Sequence, residues 1–277
     1  MFKATEESIQ GGAGNLFVRA WRPSAEPRTV IVICHGFNAH SGTYAWCGEQ
    51  FAQKGMAVYA LDLSGRGKSD GERFYVERFE DYVDDLDKLI EFAKSRELGL
   101  PIILLGHSAG GITACLHALE HQHELAGLIC EDFAFEVPAP NIALALLKGI
   151  SYFAPHARAL ALKNADFSRD PRVVKSMNED PLIAHESEPF ATMAAIVRAN
   201  ERLKTAFPRI TLPVLIIHGS ADKVARLSGS RHFYEHTGSK DRTIKVYEGR
   251  YHDPLNDIGK EEVLADIVAW IETRLPV

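Results

Sequence analysis

Short, nearly continuous apolar runs recur along the chain, and segments with the periodicity of amphipathic helices separate most of them. The apolar runs are rich in Val and Ile and lie at residues 29–34, 57–61, 102–105, 126–130, 214–217 and 243–246. The helical segments between them span residues 43–54, 79–96, 109–121, 226–235 and 260–274. Strands that are apolar on both faces and alternate with helices predict an α/β fold, in which helices cover both faces of a mainly parallel sheet.

An amino-terminal hairpin and a long central insertion interrupt this alternation. Residues 5–9 and 16–21 flank a glycine-rich stretch, a pattern typical of an antiparallel hairpin at a sheet edge. Later, about eighty residues without a buried-strand signal follow the fourth apolar run, far more than an ordinary βα connection contains. We therefore predict a helical insertion at 133–209, here called the cap, within a core formed by residues 1–132 and 210–277.

The first part of the predicted cap, residues 141–162, carries more apolar side chains than a small solvent-facing helix needs. These side chains either pack against the main sheet or form a lid over an acyl pocket, with peripheral contact to a lipid surface. Both interpretations stand at this point, because opposite faces of one helix can serve both.

The apolar run at 102–105 breaks into the motif Gly106-His107-Ser108-Ala109-Gly110. A G-x-S-x-G motif places its serine on a strand-to-helix turn so tight that only small residues fit two positions before and after it. The motif also occurs by chance, but here a buried strand precedes it and a helix follows it. Ser108 is therefore the predicted nucleophile, at the sheet edge where ligands of such folds bind.

A serine hydroxyl is a weak nucleophile and needs a base that a carboxylate orients. His252 follows the last strand, where its loop returns to Ser108, whereas His218 lies inside an apolar run and is predicted to be buried. Asp222 on the preceding loop completes the chain order Ser, Asp, His of α/β-hydrolases. Asp132 also follows a strand and is the alternative acid.

Attack on an ester produces an oxyanion that two backbone N–H groups must stabilise. Ala109, directly after the serine, is the first predicted donor. Phe37 is the second, because it lies on the loop that follows the strand at 29–34. His35 on the same loop is predicted to brace it by a hydrogen bond and not to transfer a proton.

The charge and hydropathy of the chain argue against several classes of function. The chain of 277 residues has a formal net charge of −6 and no long basic run, which argues against nucleic acid as a partner. Its start lacks the basic and apolar regions of a secretory signal, which predicts a cytoplasmic protein. The most apolar stretch, residues 142–153, falls short of the ~20 residues that span a bilayer.

Neither a metal nor a nucleotide cofactor is predicted. The four cysteines lie in strand or helix patterns without a C-x-x-C pair and are expected to be reduced; they are Cys34, Cys47, Cys115 and Cys130. His117, His121 and His123 lack the H-E-x-x-H order and are interpreted as a solvated helix end. Gly67-Lys68-Ser69 resembles a phosphate-binding loop, but Asp62 stands where that loop needs glycine.

Six blocks of the sequence, in this order, resemble the monoacylglycerol lipase and lysophospholipase branch of the α/β-hydrolases, a serine aminopeptidase-like family. They lie at residues 35–36, 62–71, 106–111, 178–182, 218–222 and 247–252. The resemblance implies a cap between the sixth and seventh strands and a catalytic triad at Ser108, Asp222 and His252. It also implies a small ester or lipid substrate and no cofactor.

The chain departs from that branch near the predicted oxyanion loop. Animal enzymes of the branch carry a Glu and an Arg there that help to bind glycerol, whereas this chain has Ala39 and Thr43 at those positions. Phe37 also puts a bulky side chain where the family often has a small one. We expect a different recognition of the alcohol group and a narrower pocket.

The sequence therefore predicts a cofactor-independent serine esterase that acts on monoacylglycerol, lysophospholipid or medium-chain esters through an acyl-enzyme on Ser108. One alternative is an aminopeptidase or amidase, which would need an acidic cluster in the cap to hold a substrate amine. The candidate acids are Glu136, Glu179, Asp180, Glu186 and Glu188. The other alternative is a ligand-binding protein without activity, because fold does not determine function.

Overall fold

The computed structural model describes residues 4–275. The first half of the chain forms β1 (Thr5–Gly11), β2 (Gly14–Trp21), β3 (Thr29–Cys34), α1 (Ala45–Gln53), β4 (Met56–Leu61), α2 (Phe79–Arg96), β5 (Ile102–His107), α3 (Ala109–His121) and β6 (Gly127–Glu131). The second half forms α4 (Asn141–Ile150), β7 (Arg158–Leu160), α5 (Pro171–Glu179), β8 (Glu188–Pro189), α6 (Phe190–Ala206), β9 (Val214–Gly219), α7 (Leu227–His236), β10 (Arg242–Tyr247) and α8 (Lys260–Glu272).

Eight strands form one sheet in the order β1-β2-β4-β3-β5-β6-β9-β10. β1 and β2 make the predicted antiparallel hairpin at one edge, and β2 also pairs antiparallel with β4. The remaining neighbours are all parallel, as the apolar runs predicted. The carboxyl ends of β3, β5, β6, β9 and β10 therefore meet at one edge, and the loops that follow them are brought together.

The continuous apolar runs are explained by two cores, one on each face of the sheet. Along β3, Val30 and Val32 point into the core that α2, α3 and α6 cover, whereas Ile31 and Ile33 point into the core that α1 and α8 cover. All six residues of β3 are buried, because alternate side chains of a central strand enter opposite cores.

The predicted helical cap contains α4, α5 and α6 between the sixth and seventh strands of the main sheet. It also contains a two-stranded antiparallel sheet of β7 and β8, which the sequence did not predict because strands this short show no periodicity. Ala195 and Leu203 of α6 belong to the same apolar core as Val32 of the main sheet. The division at residues 133–209 remains a prediction, since α6 is part of the main core.

Within residues 4–275, no helix combines the length and the apolar character that crossing a membrane requires.

Candidate active site

Ser108 lies on the turn between β5 and α3 in a strained conformation, with φ 53° and ψ −118°. Few non-glycine residues adopt a positive φ, and those that do often lie at functional sites. A Cβ atom at Gly106 would collide with the carbonyl oxygen of Gly110, and one at Gly110 would collide with that of Cys34. The glycines of the motif are therefore required by close contact between β5, α3 and β3.

The structure brings the three residues of the predicted triad together at the carboxyl edge of the sheet. His252 Nε2 lies 2.8 Å from Ser108 Oγ, and His252 Nδ1 lies 2.8 Å from Asp222 Oδ2. Ser108 and His252 are buried beneath the cap. The histidine thus spans the serine and the carboxylate in one chain of hydrogen bonds.

Hydrogen bonds and the neighbouring His252 keep Asp222 in its ionised form. Its Oδ1 accepts hydrogen bonds from the backbone N–H groups of Val224 at 2.7 Å and Ala225 at 3.1 Å. Burial opposes the charge, but the attraction of His252 and its hydrogen bond outweigh it and hold the pKa of Asp222 below its ordinary value. The carboxylate therefore stays ionised next to the imidazole.

Asp132, the alternative acid, is buried beside Asp222 and behaves differently. Its Oδ1 accepts the backbone N–H of Gly219 at 3.0 Å, which ties β6 to β9. Burial and then the charge of Asp222 raise the pKa of Asp132 well above its ordinary value. A carboxyl that keeps its proton cannot balance a charged imidazole, so Asp222 fits the acid role and Asp132 does not.

His218 is buried at the end of β9, as predicted. Its Nδ1 lies 2.8 Å from Ser230 Oγ and its Nε2 lies 3.3 Å from Asp222 Oδ2. Burial lowers the pKa of His218 to about 4. His218 is therefore a neutral ring beside Asp222.

His107 also supports the triad, which the sequence did not reveal. Its Nε2 donates to the backbone carbonyl oxygen of His252 at 2.9 Å, and burial lowers the pKa of the ring. A neutral His107 thus fixes the backbone that carries the predicted base. Only the fold could show this contact, because it joins residues 145 positions apart.

The loop after β3 lies directly against the serine turn. A Cβ atom at Gly36 would come within 2.8 Å of Ser108 Cβ and within 3.3 Å of Ala109 N. His35 Nδ1 donates to the Gly36 carbonyl oxygen at 2.7 Å, and His35 Nε2 accepts from the backbone N–H of Leu63 at 3.0 Å. The predicted bracing role of His35 is therefore confirmed.

A cavity of about 990 Å³ leads from Ser108 beneath the cap, and the two predicted oxyanion donors, Phe37 and Ala109, line it. Its walls are mainly apolar side chains of the cap, among them Leu144, Leu147, Leu160, Met193, Ile196 and Val197. Charged side chains stand among the lining residues, namely Glu136, Lys148, Lys163, Asp166, Glu201, Lys204, Lys223 and Arg226. A largely apolar pocket with a few polar groups is typical of sites for small ligands with a long apolar part.

The five acids that were candidates for the acidic cluster of the aminopeptidase alternative do not come together in one site. Glu186 and Glu188 are buried and accept hydrogen bonds from Arg66. Asp180 accepts a hydrogen bond from His40 Nε2 at 2.8 Å, because His40 Nδ1 already accepts from a backbone N–H. The two other candidates divide between the cavity, where Glu136 lies, and the outer surface, where Glu179 is exposed.

The sequence predicted that His117, His121 and His123 lie at a solvated helix end, and this prediction is wrong for His117. His117 is fully buried, and its Nε2 lies 3.3 Å from Asp87 Oδ1 of α2. His121 and His123 lie at the surface near Glu124, as predicted. Asp87 is the partner that sequence spacing could not place, because it lies on another helix. The four cysteines are buried and free, as predicted.

The parallel sheet, the serine on a strand-to-helix turn, and the histidine and aspartate from later loops define an α/β-hydrolase. Residues 25–259 match the family described as serine aminopeptidase, S33, and the chain belongs to this family.

Relatives of known activity are similar over nearly the whole chain. The monoglyceride lipase of Rattus norvegicus is 32% identical over 267 residues, which cover 95% of this chain and 88% of that protein. The monoacylglycerol lipase of Mycolicibacterium smegmatis is 30% identical over 98% of both chains. The crystal structure of the Paleococcus ferrophilus monoacylglycerol lipase has a TM-score of 0.82 and 29% identity, over 98% of this chain and 99% of that one. Fold, family and relatives together identify a hydrolase of carboxylic esters.

Proposed function

We propose that Ser108 Oγ attacks the ester carbonyl carbon while His252 Nε2 takes the hydroxyl proton. Asp222 keeps the imidazole in the tautomer that can accept this proton and stabilises the imidazolium that results. His252 then returns the proton to the leaving alcohol, and an acyl group remains on Ser108. Water then attacks the acyl carbon while His252 Nε2 takes a proton from it. The acid leaves as His252 returns this proton to Ser108 Oγ. The observation that carries this proposal is the pair of 2.8 Å contacts that His252 makes.

The negative charge on the carbonyl oxygen needs donors that are already in place before the reaction. We assign this role to the backbone N–H groups of Phe37 and Ala109. Support comes from the close approach of Gly36 to Ser108 and Ala109, and from the presence of Phe37 and Ala109 in the lining of the cavity.

The proposed substrate is an ester of one long acyl chain and a small polar alcohol, with monoacylglycerol as the first candidate. The cavity of about 990 Å³ has room for such a chain, and its apolar walls suit one. The names of the two relatives above favour the same substrate. Ala39 and Thr43 do not carry the glycerol-binding charges of animal enzymes; Thr43 Oγ1 instead accepts the His40 backbone N–H at 3.3 Å. We therefore expect other polar groups to hold the alcohol.

Initial rates of the wild type and Ser108→Ala test this proposal. The panel contains nitrophenyl esters of rising chain length, a monoacylglycerol, a lysophosphatidylcholine and an aminoacyl amide. We expect Ser108→Ala to lower kcat by about 10⁴-fold or more, because removal of the nucleophile leaves only the oxyanion site and binding. Ser230→Ala is the matched control, since Ser230 is buried and contacts His218 instead of His252. Equal folding of both variants by circular dichroism, with ester hydrolysis retained in Ser108→Ala, would refute the assignment of the nucleophile.

We also propose that the outer face of α4 and the turn after it contact lipid. Five large apolar side chains are exposed there: Ile142, Leu146, Ile150, Tyr152 and Phe153, with exposed fractions of 73%, 62%, 42%, 79% and 93%. Leu144 and Leu147 on the other face of the helix line the cavity. An exposed apolar patch directly above an apolar cavity would let an acyl chain pass from a lipid surface to Ser108. The cytoplasmic location remains a prediction, which fractionation of cells would test.

A further inference from the structure

Arg66, on the loop after β4, is buried to 1% exposure within a cluster of charged side chains. Its Nη1 lies 2.5 Å from Glu186 Oε1, its Nη2 lies 2.7 Å from Glu188 Oε2, and its Nε donates to Tyr82 Oη at 2.9 Å. We call these four residues the Arg66 cluster. Both carboxylates come from the inserted segment, so the cluster fastens that segment to the core. Buried charges are costly unless they are paired in this way.

The Arg66 cluster also reaches the loop of the proposed oxyanion site. The backbone N–H of Asn38 donates to Glu186 Oε1 at 2.7 Å, and the guanidinium carbon of Arg66 lies 4.2 Å from the centre of the Phe37 ring. Asn38 has a positive φ of 51°, a conformation that persists only where neighbours hold it. The peptide after Phe37 and the Phe37 ring are thus both held by one cluster.

We infer that Glu186 is a positioning residue for the oxyanion site. By accepting the Asn38 N–H while paired with Arg66, it fixes the Phe37–Asn38 peptide and thereby the direction of the Phe37 N–H toward Ser108. The inference rests on the proposed function, because it assigns Phe37 N–H as a donor to the oxyanion. It makes a side chain from the inserted segment part of the support for catalysis in the core.

Glu188 is a natural control for Glu186. Both residues are buried, and both pair with Arg66, but of the two only Glu186 contacts the oxyanion loop in the described part of the chain. Burial raises the pKa of Glu188 to about 8, although Arg66 opposes the rise. Loss of either carboxyl disturbs the same cluster, but only loss of Glu186 removes the acceptor for Asn38.

The experiment compares Glu186→Ala with Glu188→Ala on a short, soluble nitrophenyl ester. We expect Glu186→Ala to lower kcat by about 30- to 100-fold with KM within twofold, somewhat less than complete removal of an oxyanion donor. The inhibition constant of a trifluoromethyl ketone, which forms a tetrahedral oxyanion on the serine, should rise by the same factor. Glu188→Ala should change kcat and this constant by less than threefold.

Glu186→Gln should restore kcat to within about fivefold of the wild type, because its amide oxygen can still accept the Asn38 N–H while Glu188 still contacts Arg66. If Glu186→Ala does not fold, the charged pair Glu186→Asp and Glu188→Asp decides instead, since each draws its carboxylate back by about 1.5 Å. Here too, only the change at position 186 should lower kcat and raise the inhibition constant of the ketone.

Equal losses of kcat in the two Ala variants, or in the two Asp variants, would overturn the inference and leave Glu186 a purely structural residue. A loss that appears only in KM would also overturn it. Failure of the proposed function would look different, because the wild type would then hydrolyse no ester or would do so without Ser108.

Discussion

The inserted segment contains two regions that are attached to the core in different ways. In the inner region, residues 162–188, partly buried polar contacts hold the loop after β3: Asn164 Oδ1 accepts from Asn38 Nδ2 at 2.7 Å, and Asp180 accepts from His40. In the outer region, residues 141–153, large apolar side chains face solvent, and the ion pair of Lys148 with Glu201 of α6 lies near the surface. One insertion therefore combines a fixed support with an exposed apolar surface.

The two regions correspond to two separate functions of the inserted segment, namely support of the oxyanion site and contact with lipid. If the inner region shapes the oxyanion site, it must remain in place while substrate binds. If the outer region contacts lipid, it is the part that can shift without disturbing the loop after β3. We expect changes in the inner region to alter kcat and stability, and changes in the outer region to alter the use of lipid substrates.

The largest expected effect is on stability, in the inner region. Arg66→Met should lower the free energy of unfolding by about 3–5 kcal/mol, because it leaves the buried carboxyl groups of Glu186 and Glu188 without their partner. Urea denaturation measures this change. Arg202→Met is the matched control, since Arg202 is 42% exposed and pairs with Glu120 at the surface; it should cost less than about 1 kcal/mol. Similar losses of unfolding free energy in both variants would show that the buried Arg66 contributes no more to stability than the exposed Arg202.

The outer region provides the next largest effect, which leaves folding intact. The double variant Leu146→Glu and Phe153→Glu should bind neutral lipid vesicles about 30- to 100-fold more weakly, because two apolar side chains can no longer enter the interface. Its activity on dispersed long-chain monoacylglycerol should fall with binding, while hydrolysis of a soluble short ester stays unchanged. Co-sedimentation with vesicles and initial rates measure the two effects.

Leu98→Glu is the control for that experiment, because Leu98 is 83% exposed but follows α2 and lies outside the insertion. It should bind vesicles like the wild type. Equal loss of binding in Leu98→Glu, or unchanged binding in the double variant, would show that the outer region is not the lipid-facing surface.

The sequence predicted the parts of this molecule that depend on local pattern. Val30 to Ile33 indicated a central strand because every position is apolar, and Gly106 and Gly110 indicated the serine turn because only small residues fit there. Asp222 and His252 followed from their place after strands, since parallel strands end at one edge.

The sequence could not predict the pairs that the fold assembles from distant segments. Glu186 was a candidate to bind a substrate amine in the aminopeptidase alternative, because nothing in the sequence shows that it is buried against Arg66, 120 positions earlier. His117 was assigned to a solvated helix end for the same reason, since its partner Asp87 lies on α2. Burial and long-range pairing decide whether a charged side chain supports the fold or faces the cavity, and neither follows from spacing.

The smallest effect concerns the pH dependence of the inner region. The pKa of Glu188 is about 8 in the folded chain, above the ordinary 4.5 of glutamate, because burial opposes its charge. The folded chain therefore holds a proton that the unfolded chain releases between these values. The stability that this group contributes is fully present below pH ~4.5 and is lost as pH rises toward ~8, by at most about 1.4 kcal/mol per pH unit. Glu188→Gln should remove this part of the slope.

Urea denaturation of both proteins from pH 5 to 9 measures the difference, and other titrating groups cancel because the two chains share them. We expect Glu188→Gln to gain stability relative to the wild type as pH rises, since the neutral amide has no proton to lose. Asp81→Asn, at a partly exposed carboxylate of α2, should leave the pH dependence nearly unchanged over this range. A constant difference between Glu188→Gln and the wild type would mean that Glu188 is ionised throughout this range, and that Arg66 outweighs the effect of burial on its pKa.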